Sequence, residues 1–145
     1  MEKMTYVQSL YPKEYQLWLE DNDIFCLYDY KPIINSLGDI VFTLSDNDYC
    51  GDTFVLYHTG NIWEYLEFGW GSCSGCDALQ ACETWEEVVS LIKELKNSKI
   101  KFENITATLD YFTNHDWNGD WTTETKKTFI NCTIKILTEI KKQEN

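Results

Sequence analysis

After Thr84 the apolar residues Trp85, Val88, Val89, Ile92 and Leu95 recur at helical spacing and form one stripe. Thr84 stands where a helix cap belongs, and Glu87, three residues on, completes a capping box. A final helix is expected to open at Thr122. Its core face is Phe129, Ile130, Ile134, Leu137 and Ile140, and Lys141 and Lys142 suit the negative end of its dipole. Ile105–Phe112 is weakly helical, and Pro12–Glu20 reads as a short helix with proline in its first turn. Elsewhere the pattern is that of strands: Ile24–Tyr30, Ile40–Leu44, Tyr49–Tyr57 and Ile62–Phe68, with Ile100–Phe102 as a short edge strand. The stretch KPIINSLGD is turn-prone, and HTGN at 58–61 looks like a hairpin turn. Strands followed by helices, without βαβ alternation, predict an α+β fold: an antiparallel sheet of about four strands packed against three to four helices.

Length and composition fit this picture. A chain of 145 residues, 43% hydrophobic and 15% aromatic, is long enough for one domain spanning 1–145 with a real core. No apolar run reaches the roughly 18 residues of a membrane span. The segment MEKMTYVQSLYPKEYQ has no apolar core of the kind a secretory signal needs, so a reducing compartment is expected. There, six cysteines favour metal binding or catalysis over disulfides.

Charge narrows the choice of partner. Aspartate and glutamate total 24 against 12 basic residues, all of them lysine. From Pro32 to Ile92 there is no lysine, yet the span holds Asp39, Asp46, Asp48, Asp52, Glu64, Glu67, Asp77, Glu83, Glu86 and Glu87. Such a surface repels nucleic acid, whose binding depends on basic groups displacing counterions. It is attracted instead to a basic surface, including one that normally holds nucleic acid. Acidity also serves plain solubility.

The chemistry-bearing stretch is GWGSCSGCDALQAC, residues 69–82, with Cys73 and Cys76 around Ser-Gly. Four readings stay open: a zinc site, a dithiol at a helix N-terminus, a nucleophile with His115 as base, and small buried cysteines without chemistry. The dithiol lacks the βαβ context of thioredoxin-like proteins. Zinc requires two further ligands, and the candidates are His115, Asp52, Cys82 and Cys50. If Thr59-Gly60 is the hairpin turn, Asp52 lies opposite Glu67 and Cys50 opposite Gly69, at the open end beside the cysteine loop. His58 then sits roughly 20 Å away and is excluded. His115 lies in HDWNGDW, a loop of polar, Gly and Trp residues from which Trp117 and Trp121 are expected to touch the cysteine loop or a partner. Cys26 and Cys132 are expected in the core.

At GWGSCSGCDALQAC and HDWNGDW the chain resembles small proteins of Gram-positive bacteria and their phages. It is similar there to small acidic zinc-containing type II-A anti-CRISPR proteins, phage-encoded inhibitors of Cas9. The two motifs cover 21 of 145 residues. The resemblance implies no enzymatic activity, a Cas9 partner in the cytoplasm of a bacterial host, and a stabilising zinc. Cys73 and Cys76 are the matching positions, with His115 and Asp52 as co-ligands; Cys82 or Cys50 could replace Asp52. Charge and site together predict a zinc-fastened acidic surface that docks on a basic groove and blocks its engagement of DNA. Asp39, Asp46, Asp48, Glu64, Glu83, Glu86 and Glu87 are the expected contacts. Two rivals are a small metal- or thiol-dependent hydrolase using a cysteine and His115, and an immunity or adaptor protein.

Overall fold

The computed structural model describes residues 6–21, 29–46, 50–71, 77–117 and 123–144. Along the chain come a helical turn α1 (Tyr6–Ser9), helices α2 (Lys13–Asp21) and α3 (Lys31–Ser36), and strands β1 (Ile40–Ser45), β2 (Gly51–Thr59) and β3 (Ile62–Trp70). Then follow α4 (Trp85–Ser98), β4 (Ile100–Phe102), α5 (Ile105–Asn114) and α6 (Glu124–Gln143). The strands form one antiparallel sheet in the order β1-β2-β3-β4, as the strand pattern predicts for an α+β fold.

Both faces of the sheet are covered. Val55, Tyr57, Leu66, Phe68 and Trp70 pack with residues of α2, α3 and α4; Phe54, Leu56, Trp63 and Tyr65 pack with α5 and α6. This explains why the central strands read as nearly continuous apolar runs rather than alternating ones. Phe129 of α6 lies at the centre of the second layer, against Phe42, Phe54, Tyr65 and Phe112. Among the described residues no helix is long and apolar enough to cross a membrane.

The caps form largely as the sequence predicts. The Thr84 side chain accepts the Glu87 N–H, and the Glu87 carboxylate accepts from Thr84 Oγ1 and from the Glu83 N–H. Helix α6 is capped by Thr123, whose hydroxyl accepts the Lys126 N–H, one residue beyond the expected start. Three expectations change. Residues 31–36 of the turn-prone stretch form α3, because Pro32 falls in the first helical turn, where its missing N–H costs nothing. Of the expected strand Ile24–Tyr30, residues 24–28 lie outside the described residues, and Asp29 and Tyr30 form a turn into α3. Finally, the hairpin turn is Gly60-Asn61, with Gly60 at φ +62°. Only glycine takes that conformation without strain, and it fixes the register.

Candidate functional site

The residues bounding the cysteine loop are tied together by one buried carboxylate. Asp77 Oδ2 accepts the Gly71 N–H at 2.9 Å, and its Oδ1 accepts the Gln80 N–H at 2.9 Å. The Tyr30 hydroxyl donates to Oδ1 at 3.1 Å and accepts the Leu79 N–H at 3.0 Å. Gln80 Nε2 closes the same ring onto the Gly71 carbonyl at 2.8 Å. Gly71 and Asp77 are thus held within hydrogen-bond distance on either side of residues 72–76, which lie outside the described residues together with Cys73 and Cys76.

The corrected register moves Asp52. It pairs with Gly69 rather than Glu67, and Gly51 rather than Cys50 starts the ladder, opposite Trp70. The shift of two keeps Asp52 on the face predicted for it and brings it nearer the loop. Its carboxylate points to the α6 side, where Oδ1 would lie 3.3 Å from a Cβ added at Gly69. Asp46, Glu67 and Lys126 surround it electrostatically. Lys126 pairs with Glu67 at 2.9 Å and lies 5.3 Å from the centre of the Trp117 ring. His115, exposed just after α5, packs on Tyr111 and Trp117. Asp52 and His115 therefore share one side of the sheet, with Glu67, Lys126 and Trp117 between them. That corner already holds a cation, the Lys126 ammonium. Cys82 belongs to the opposite layer. Its thiol donates to the Ala78 carbonyl at 3.3 Å, and burial, then Glu87, Asp77 and Glu94, push it above the ordinary thiol range. Cys50 is exposed, and Cys132 is half-buried in α6. His58 stacks on Trp63 beside the hairpin turn, away from the loop as expected. Among the described residues no group of three or more His, Cys, Asp or Glu side chains is placed to hold a metal ion.

The acidic positions divide. Asp39 is exposed, Asp46 is half-buried with its carboxylate accepting the Asp52 N–H at 2.8 Å, and Asp48 lies outside the described residues. Glu64 is not a surface contact: only 8% of its side chain is exposed, and it pairs with Lys99 at 3.0 Å. Glu83, Glu86 and Glu87 are exposed at the entry of α4. Glu86 and Glu87 join Glu94 in lining a groove of about 370 Å³, together with Ala78, Ala81, Cys82, Ser90 and Leu91. Among the described residues Glu83, Glu86, Glu87 and Glu94 enter no ion pair.

Comparison with protein-family models, curated proteins and solved structures gives no match.

Two residues of the site escaped the sequence reading. Glu94 follows Glu87 by seven positions, two helical turns along the same face, and that spacing was there to be read. Asp77 accepts the N–H three residues ahead, the local habit of an aspartate that opens a turn. Its bond back to Gly71 had no local signal.

Asp52 carries a pH signature. Burial, then Glu67 and Asp46, raise its carboxyl above the ordinary value of 3.8, with Lys126 opposing. The folded chain thus holds this proton more tightly than the unfolded chain. The favourable contribution is present at low pH and is lost as pH rises through the raised value. Asp52→Asn, measured by urea denaturation after chelator treatment, is expected to be more stable than the parent at pH 7. The gain should vanish below the ordinary value. A gain independent of pH would contradict the shift.

Proposed function

We propose that the chain is an acidic binding protein that occupies the basic groove of a nucleic-acid-binding partner and excludes nucleic acid from it. The observation that supports this reading best is the row of exposed carboxylates at Glu83, Glu86, Glu87 and Glu94, which form no ion pair among the described residues, beside a groove whose lining includes Ala78, Ala81 and Leu91. Such a groove suits Lys or Arg side chains, whose stems cover apolar surface while their charged heads meet the rim. The lysine-free span between Pro32 and Ile92 extends the same potential over the sheet end.

The motif resemblance names Cas9 as the partner to test. Zinc held by Cys73 and Cys76 belongs to the same proposal: it would rigidify the loop whose flanks Asp77 ties, and so lower the ordering cost of docking. His115 and Asp52 are the proposed co-ligands, each to be tested by substitution.

The test uses purified chain, Cas9 loaded with guide RNA, and labelled target DNA. The chain should block DNA binding, and inhibition should weaken as salt rises. Glu86→Lys with Glu87→Lys and Glu94→Lys should weaken it about tenfold or more. Elemental analysis should find one zinc per chain, lost in Cys73→Ser. Inhibition indifferent to charge reversal would overturn the docking surface, and a metal-free parent chain would overturn the zinc.

A further inference from the structure

The sheet ends at β1, whose only strand neighbour among the described residues is β2. The Asp46 N–H donates to the Asp52 carbonyl at 3.0 Å. Main-chain groups alternate in direction along an antiparallel ladder. Counting back from Asp46, those of Thr43 and Ser45 face away from β2. Edges of this kind are usually blunted by lysine, proline or a bulge. Here the sequence IVFTLS contains neither residue, and the one bulge lies between Ile40 and Phe42, near the start of the strand.

Charge brackets the edge instead. Asp39 is exposed at one end, and Asp46, beside Asp52, stands at the other. Two copies joined antiparallel edge to edge would bring each Asp39 close to the other copy's Asp46, and like charges oppose that pairing. An extended segment with Lys or Arg at both ends meets opposite charge at both.

We propose that the edge of β1 left unpaired among the described residues receives an extended, basic-flanked segment of the partner protein as a fifth strand. Thr43 and Ser45 exchange main-chain hydrogen bonds with it, and the negative charge of exposed Asp39 at one end and of Asp46 and Asp52 at the other attracts its flanking cations. Strand addition of this kind draws affinity from main-chain bonds and specificity from the flanks. The inference deepens the docking reading above and rests on it for the basic character of the partner.

The experiment titrates the isotope-labelled full chain with an eight-residue peptide of alternating threonine and valine, lysine at both ends, followed by amide shifts and hydrogen exchange. Shifts and slowed exchange are expected at Thr43 and Ser45. The same peptide ending in glutamate should bind about tenfold more weakly or worse. Of two peptides N-methylated on all threonines or on all valines, one should lose at least about tenfold in affinity while the other keeps it, because an extended segment bonds through one edge only. The proposal is overturned by shifts confined to α4, by equal binding of lysine- and glutamate-ended peptides, by no perturbation at millimolar peptide, or by β1 pairing with a second copy. Failure here with charge-sensitive inhibition intact removes the strand mode alone. Peptide binding at β1 with inhibition indifferent to α4 charge removes the groove alone.

Discussion

Glu64→Ala is expected to destabilise the fold by about 3–5 kcal/mol, a large share of the roughly 5–15 kcal/mol that holds a domain of this size. The Lys99 ammonium, with its side chain 4% exposed, meets Glu64 Oε1 at 3.0 Å, the Leu37 carbonyl at 2.8 Å and the Tyr57 ring centre at 5.3 Å. Removing the carboxylate leaves a buried cation with one neutral acceptor and a ring face. Lys99→Met should cost a similar amount, because it strands the carboxylate instead. Replacing both residues with methionine removes both desolvation penalties at once, so the double variant should lose less than either single one. Urea denaturation of the four chains closes the cycle. Simple additivity of the two single losses would show that the pair is solvated and that Glu64 belongs with the surface acids after all.

Glu64 also shows where the sequence could be read further. In β3 it shares a face with Leu66, Phe68 and Trp70, all of them buried, so strand alternation alone places it inward. Its partner could not be read that way, since Lys99 lies 35 positions away. The caps of α4 and the apolar faces of α4 and α6 were legible because their signals are local and periodic. The hairpin register was not. Thr59-Gly60 and Gly60-Asn61 preserve the same strand faces and differ by a register shift of two, which no side-chain pattern distinguishes. The start of α6 slipped by one because Thr122 and Thr123 are equally good caps on paper. KPIINS reads as a turn when Pro32 is taken as a breaker, and as α3 once it falls in the first helical turn. For the candidate site, motif spacing singled out the cysteine loop, and the lysine-free acidic span singled out Glu83, Glu86 and Glu87. The carboxylate that ties the loop's flanks depends on a bond to Gly71 that no periodicity encodes.

That carboxylate makes the second large prediction. Asp77→Ala leaves the buried Gly71 N–H, the Gln80 N–H and the Tyr30 hydroxyl without their acceptor, and should cost about 3 kcal/mol or more. Asp77→Asn is the sharper test. With its oxygen toward Gln80 and Tyr30, its NH2 group faces the Gly71 N–H, donor against donor, for a cost of about 1–3 kcal/mol. Flipping the amide only moves the conflict to Gln80. Tyr30→Phe, which removes the bonds to Asp77 and to the Leu79 N–H but leaves the Gly71 tie, should keep the loop's flanks together. Alkylation of Cys73 and Cys76, followed by mass spectrometry in chelator-treated protein, separates the two effects. Both thiols should react faster in Asp77→Asn than in the parent, and no faster in Tyr30→Phe. If Asp77→Asn matches the parent in both stability and thiol reactivity, Asp77 does not hold the loop. The proposed zinc would then have to hold Gly71 and Asp77 together unaided, and the preformed flanks would drop out of the docking proposal.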